Sequence, residues 1–251
     1  MKFIDVNCDM GEIAEAISGG TQEALMPSLT SVNIACGGHA GDAASMRATL
    51  QQAIAAGVSV GAHPGYPDRE NFGRLELEMP LSAVSDFVFE QVRAFAEIAD
   101  SLGARVAHVK PHGALYNQAV NNPPLAEAIA KGVARWSRDV TMMGLAGSPM
   151  LEVFRDAGFA IAAEAFADRK YEPDRTLRAR RHDDALIRNP LEAGKQALRI
   201  ADRKSVIASD GSEVVVDAQT ICIHGDTPGA VEIAAAVAAA LKQGGIELRS
   251  L

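Results

Sequence analysis

Phe159-Ala160-Ile161-Ala162-Ala163-Glu164 puts Phe159, Ile161 and Ala163 on one face of an extended strand, and Ala160, Ala162 and Glu164 on the other. Val58-Ser59-Val60-Gly61-Ala62-His63 repeats the arrangement, with Val58, Val60 and Ala62 against Ser59, Gly61 and His63. One face is apolar; the other is small and ends in a polar side chain. Side chains alternate between the faces of a strand, and a sheet covered by helices on both sides calls for bulk on both. Small residues leading to a polar one suit the cramped interior of a closed barrel with a site at its mouth.

Five further apolar runs, at 2–6, 31–35, 105–109, 140–145 and 220–224, bring the strands expected to seven. Helical patterns lie between them at 42–56, 81–102, 124–137, 149–157, 190–202 and 228–242. Asp42 is placed to cap the first, Gly57 to end it, and Ser82 to cap the second. Strand and helix in alternation imply parallel strands joined by right-handed crossovers. The expectation is an α/β fold, a seven-stranded parallel β/α barrel forming one domain over 1–251. Two late departures interrupt it: a charged segment at 167–189 and a hairpin at 205–217 turning at Asp210-Gly211. The charged segment has few apolar anchors and is expected to be little buried and mobile, ordering over the mouth when a ligand or partner binds.

The 251 residues carry a net charge of −8 and a mean hydropathy of +0.03, which argues for an ordinary core and against a nucleic-acid footprint. The basic run from Arg175 to Arg181 is flanked by Asp174, Asp183 and Asp184, and reads as a solvated or anion-contacting loop. No leader-like segment or bilayer-length apolar run is visible, so no membrane association and a cytoplasmic location are expected. Cys8, Cys36 and Cys222 form no CxxC pair and read as reduced, buried thiols.

The strand ends carry the chemistry, and four of the six histidines, His39, His63, His112 and His224, fall there. Asn7 and Asp9 share a parity that points into the mouth. Asp9 reads as a metal ligand, a general base or a helix cap. Asp9, His39 and His63 from three strand ends compose a divalent site with room for water; histidines that only hydrogen-bond a polar substrate fit equally well. Lys110 is expensive to bury alone, so it needs a carboxylate from Glu164, Asp168 or Asp226, or an anionic ligand. Because His108 and His112 supply no anion, the ligand is the partner expected. His224 and Asp226 share parity, which permits a proton-transfer dyad. Neither a P-loop nor a Gly-x-Ser-x-Gly elbow is present.

These residues stand in motifs that resemble the LamB/YcsF family: Asp5-Val6-Asn7-Cys8-Asp9-Met10-Gly11-Glu12, Asn33-Ile34-Ala35-Cys36-Gly37-Gly38-His39-Ala40-Gly41-Asp42, Gly61-Ala62-His63-Pro64-Gly65-Tyr66-Pro67-Asp68, Phe72-Gly73-Arg74, Val109-Lys110-Pro111-His112-Gly113-Ala114-Leu115-Tyr116-Asn117, Glu164-Ala165-Phe166-Ala167-Asp168-Arg169-Lys170-Tyr171, and Ile221-Cys222-Ile223-His224-Gly225-Asp226. The resemblance spans the chain. It implies a barrel similar to the glycoside hydrolase/deacetylase superfamily. It also implies ATP-dependent opening of the 5-oxoproline lactam to glutamate with partner subunits B and C, the nucleotide sitting on this chain or on a partner.

On that basis the expected catalytic residues are Asp9, Lys110, His112, Glu164, His224 and Asp226. Those expected to bind substrate are Asn7, Glu12, Asn33, His39, Asp168 and Arg169. Asp9, His39 and His63 are the expected metal ligands, and ATP and a divalent metal are the implied cofactors. Several loop positions depart from the family pattern: Ile13-Ala14-Glu15, Gly38, Asn71, Leu75, the run Arg178 to Asp184, and Thr227. A related lactam or another cyclic amide is therefore open as substrate. So are two other readings: a stand-alone metal-dependent deacetylase or cyclic-amide hydrolase, and a non-catalytic component that delivers the ligand.

Overall fold

The computed structural model describes residues 2–251. Seven parallel strands close into a barrel: β1 (Lys2–Met10), β2 (Ser31–Ala35), β3 (Ser59–His63), β4 (Val106–Val109), β5 (Thr141–Leu145), β6 (Ala160–Phe166) and β9 (Thr220–Ile223). Closure comes from β9, which pairs with β6 through Glu164↔Thr220 and with β1 through Asp5↔Thr220. The antiparallel hairpin of β7 (Ser205–Ile207) and β8 (Glu213–Val215) precedes it. A short β10 (Ile246–Leu248) lies parallel to the start of β1.

The outer layer is built from α3 (Ala43–Ala56), α4 (Leu81–Ser101), α6 (Pro123–Trp136), α7 (Pro149–Asp156), α8 (Pro190–Arg203) and α9 (Ala230–Gln243). Three short helices sit in the loops at the site end: α1 (Ala14–Ser18), α2 (Thr21–Leu25) and α5 (Gly113–Ala119). Asp42 caps α3 in a reciprocal pair with Ser45, and Gly57 ends it in the left-handed region at φ 69°. Ser82 does not cap α4; Pro80 holds that position, with no side-chain hydrogen bond. No helix among the described residues is long and apolar enough to cross a membrane.

The two faces of the strands separate as the alternation requires. Ile4, Val6, Cys8 and Met10 of β1 join the apolar core, while Asp5, Asn7 and Asp9 turn to a polar interior where they bond with residues of other strands. Asp5 accepts hydrogen bonds from Thr30, Ser31 and Thr220. Asn7 donates to Glu164 and Thr220. His108 Nε2 donates to Asn33 Oδ1 at 2.7 Å across the line of Gly61.

The charged segment meets its expectation in part: residues 172–184 and 186–189 are half-buried or exposed, but its start is not. Ala167, Asp168, Arg169, Tyr171 and Ala185 are buried, and bridges join Arg169 to Leu186 and Tyr171 to Leu177 and Ala208. Tyr171 is the reason. Its wholly buried hydroxyl accepts from Phe166 N–H, and Gln196 of α8 donates to the carbonyls of Phe166 and Arg169. One aromatic and one amide tie down a segment whose composition reads as free.

Gly61 is the tightest point of the barrel, because a Cβ there would lie 2.1 Å from His108 Nε2. Gly61→Ala should lower stability by about 1–3 kcal/mol, the usual range for overpacking. Thermal melts check this, and a melting temperature within a degree of wild type would contradict the packing described.

Candidate active site

At the carboxyl end of the barrel a cavity of about 460 Å³ is lined by Asp9, Glu12, His63, Lys110, His112, Tyr116, Arg169, His224 and Asp226, among others. Strand ends supply most of these side chains, and short loops turn the rest inward. Of the residues singled out from sequence, Asn7, Asn33, Glu164 and Asp168 lie beneath or beside the cavity and hold its walls; His39 stacks behind His112, ring centroids 3.6 Å apart.

Lys110 is 3% exposed, and its Nζ lies 2.8 Å from Glu164 Oε1, 3.0 Å from Asp9 Oδ1 and 3.1 Å from Cys222 Sγ. The ammonium therefore has two fixed carboxylate partners, and the expectation that an incoming ligand is its main partner is corrected. Asp9 arrives from β1 and Glu164 from β6, both across the barrel from β4, and strand parity alone carries no information about such reach. Burial would push the lysine toward neutrality; Asp9 and Glu164 outweigh it and hold its pKa well above the ordinary value. Burial likewise opposes the charge on Asp9, but His63 and Lys110 overcome it and hold that carboxyl well below its usual range.

The proton-transfer dyad is also corrected. His224 Nδ1 donates to Asp168 Oδ1 at 2.9 Å, and His224 N–H donates to Oδ2 of the same carboxylate. Asp226 instead pairs with Arg74 at 2.5 Å and lies 3.9 Å from Arg180. β9 ends at Ile223, so the alternation that related His224 to Asp226 no longer applies there. Burial raises the Asp168 carboxyl, His224 lowers it, and the net position is below the ordinary value.

Glu12, His39, His63 and His112 each offer a donor atom, all within 4.8 Å of one another. His63 and His112 are held in fixed tautomers. His63 Nδ1 donates to the Lys110 carbonyl at 2.7 Å, and His112 Nε2 donates to the Phe72 carbonyl at 2.9 Å. A carbonyl only accepts, so both protons are committed. The remaining nitrogens, His63 Nε2 and His112 Nδ1, face each other at 3.0 Å, with Glu12 Oε1 3.2 Å from the latter and Asp9 Oδ2 3.3 Å from the former. Lone pairs and carboxylate oxygens at these distances need a positive charge among them, either a proton or a metal ion. Three nitrogens and one carboxylate oxygen suit a borderline-soft divalent ion. Donors of a tetrahedral zinc stand about 3.3 Å apart, the spacing implied by bonds of about 2.0–2.1 Å. The expected ligand set is thus corrected at one member: His39 and His63 gather with Glu12 and His112, while Asp9 stands beside them between His63 and Lys110. His39 is kept neutral, because burial outweighs Glu12 and brings its pKa down to about 4.

Three residues not singled out from sequence as catalytic or binding groups also line this cavity: Arg74, Tyr116 and Arg180. Tyr116 is 4% exposed, its hydroxyl makes no hydrogen bond, and burial and the nearby Glu164 push its pKa well up. Its sequence signal was an aromatic one turn beyond Lys110-Pro111-His112-Gly113, which reads equally as core.

A parallel β/α barrel with a cation-demanding histidine cluster and buried, charge-paired carboxylates at its carboxyl mouth defines a polar-ligand or hydrolytic barrel protein. The chain belongs to the LamB/YcsF family, whose model matches residues 4–251. A protein of Chloroflexus aggregans, named as the A subunit of 5-oxoprolinase, is 47% identical over 250 residues, covering 100% of this chain and 99% of that protein. A Bacillus cereus protein of the same name is 41% identical, covering 99% and 98%. The crystal structure of a lactam utilization protein from Thermus thermophilus superposes with a TM-score of 0.92 at 38% identity, over 99% of this chain and all of that one. A family 4 carbohydrate esterase from Streptomyces lividans shares the fold, with a TM-score of 0.52 at 12% identity, over 98% of this chain and 91% of that one.

The charge pairing can be tested by substitution and by pH. Lys110→Met should cost roughly 3–5 kcal/mol, because it strands two buried carboxylates; denaturant titration measures it, and near-wild-type stability would refute the pairing. Asp9, Glu12 and Asp168 all have lowered pKa values in the folded state. Their stabilisation is complete above the ordinary carboxylate range and is lost as pH falls through it. Unfolding midpoints should therefore begin to fall as pH drops below about 6.5, where the unfolded chain protonates histidines that burial keeps neutral at His39 and His108, and fall further below about pH 4, with a shallower acid drop in Asp168→Asn.

Proposed function

We propose that this chain is a cyclic-amide hydrolase, the A component of an ATP-dependent 5-oxoprolinase that opens 5-oxoproline to L-glutamate with partner subunits B and C. The observation that carries the reading is the buried Asp9–Lys110–Glu164 group beside the Glu12/His39/His63/His112 cluster, in a chain alike along its whole length to proteins named for 5-oxoproline and lactam use. Cleaving the lactam adds one water and breaks one C–N bond, and the five-membered ring is favoured over open glutamate, so the reaction needs coupling. Phosphorylating the amide oxygen makes the ring carbon electrophilic; water adds there, the C–N bond breaks to leave an amine and an acyl phosphate, and a second water releases inorganic phosphate and the glutamate carboxylate. The nucleotide would sit on this chain or on a partner subunit.

Within the cavity each side chain then has a task its surroundings fit. Asp9, kept anionic by Lys110 and His63, takes a proton from the attacking water. Tyr116 donates its hydroxyl to the phosphorylated oxygen. His224, oriented by Asp168, returns a proton to the departing ring nitrogen. Glu12, His39, His63 and His112 would hold a divalent metal, whose contribution when bound is to polarise an oxygen ligand.

The histidine cluster favours a second reading, a metal-dependent hydrolase acting alone. The two separate cleanly. Mixed with candidate B and C subunits, the chain should consume 5-oxoproline and ATP and release glutamate in equal amounts, and do nothing without ATP. Lactam hydrolysis by the metal-loaded chain alone would replace the first reading with the second. Asp168→Asn should lower kcat by at least about 100-fold, at the low end of general acid–base effects, with the fold retained by circular dichroism. Unchanged kcat would remove the His224–Asp168 pair from the chemistry. Glu12→Gln should reduce bound zinc measured after dialysis, and equal retention would exclude that carboxylate as a ligand.

A further inference from the structure

Arg74, from the loop after β3, and Arg169 and Arg180, from the charged segment after β6, reach the same cavity. Only one carboxylate answers them, Asp226, which ties Arg74 at 2.5 Å to Arg180 at 3.9 Å. Arg169 is in no ion pair among the described residues, though it is 6% exposed. Its Nη2 donates to the Arg178 carbonyl at 2.8 Å, its Nη1 makes no hydrogen bond, and its Nε is buried without a partner. The adjacent Asp168 favours its charge from a distance but forms no ion pair with it, both carboxylate oxygens being engaged by His224. A guanidinium this deeply buried without a counter-ion is costly. Burial, then the like charge of Arg180, brings its pKa down to about 10, so it remains charged at neutral pH. That wall carries three positive groups against one carboxylate. Elsewhere the lining is the reverse, with Asp9 and Glu12 gathered around Lys110 and the histidines and Glu164 beneath them.

We propose that Arg169 and Arg180 form an anion pole that takes the carboxylate of an amino-acid-derived lactam. This turns the ring amide toward Asp9 and Tyr116 and excludes lactams that lack the carboxylate. The inference rests on the lactam-hydrolase reading and adds what decides the substrate class. A planar guanidinium fork matches a carboxylate in two parallel hydrogen bonds, and two forks on one wall fix its direction as well as its charge. Both lie in the charged segment after β6, Arg169 at its buried start and Arg180 at a partly exposed position further along. A bound carboxylate would therefore join those two parts of the segment over the cavity.

Calorimetric titration of the purified chain with 5-oxoproline, 2-pyrrolidinone and inorganic phosphate tests this. Wild type should prefer 5-oxoproline to 2-pyrrolidinone by at least about 100-fold, the scale of losing a desolvated charge pair. Arg180→Met, at a partly exposed position, should fold normally and lose most of that preference while its affinity for 2-pyrrolidinone is unchanged. Arg169→Lys should keep part of the preference and Arg169→Met none. Equal affinities of wild type for the two lactams, no binding of either, or an equal loss for both in Arg180→Met would overturn the pole. Phosphate binding tighter than 5-oxoproline and lost in Arg180→Met would reassign the pole to a phosphoryl group and overturn the carboxylate. Turnover keeps this apart from the parent reading. If the assembled subunits open both lactams equally well, the hydrolase stands and the pole falls; if the chain discriminates by carboxylate and no assembly opens a lactam, the reverse holds.

Discussion

A lysine ammonium held by two carboxylates inside a narrow barrel is the constraint around which the rest of this structure is arranged. Asp9 and Glu164 reach Lys110 from strands that do not neighbour its own, and Lys110 and Glu164 are removed from bulk water while Asp9 faces the cavity. Such a group is poor material for stability, since apolar side chains of similar volume commonly do as well or better. Its value lies in what it enforces. With the lysine in place, Asp9 remains a carboxylate next to His63, and the Lys110 carbonyl, at the same residue, sets the tautomer of that histidine. One residue thus controls the charge of Asp9 and the tautomer of His63.

The second tautomer is set from outside the barrel, by a loop under strain. Phe72 has φ 57°, a left-handed conformation that a bulky side chain rarely adopts, and Gly73 follows at φ 63°. This turn aims the Phe72 carbonyl at His112 Nε2 and packs the Phe72 ring edge-on against His39 and His112. Gly73 is required for closeness as well as conformation, because a Cβ there would lie 2.7 Å from His39 Cβ. The strain at Phe72 is local, and its product is a histidine nitrogen freed to face Glu12.

Much of this was legible in the sequence, and the gaps have physical causes. Phe159 to Glu164 and Val58 to His63 showed the barrel because small and large residues alternate with a period that only strands have. The polar strand ends at Asp9, His63, Lys110 and His224 were visible for the same reason, and they do converge on one mouth. Partner choice was not visible. Which carboxylate meets Lys110, or which orients His224, depends on the stagger of strands that are distant in sequence. α1, α2 and α5, of five to seven residues, are too short to show a helical period, and β10 has only three residues. Arg180 lies in a run that reads as a solvated charge cluster, and Tyr116 reads as an ordinary core aromatic.

The interior hydrogen bonds share one sense of direction. His108 donates to Asn33, Asn33 to Asn7 and Asp9, and Asn7 to Glu164. An amide has a donor end and an acceptor end, so reversing any one link sets like ends against each other on both sides. No member can be exchanged alone without its neighbours losing a partner. The line is therefore constrained as a block: helix surfaces and loop lengths do not touch it, whereas a change at His108, Asn33, Asn7 or Glu164 asks for a matching change at the next link.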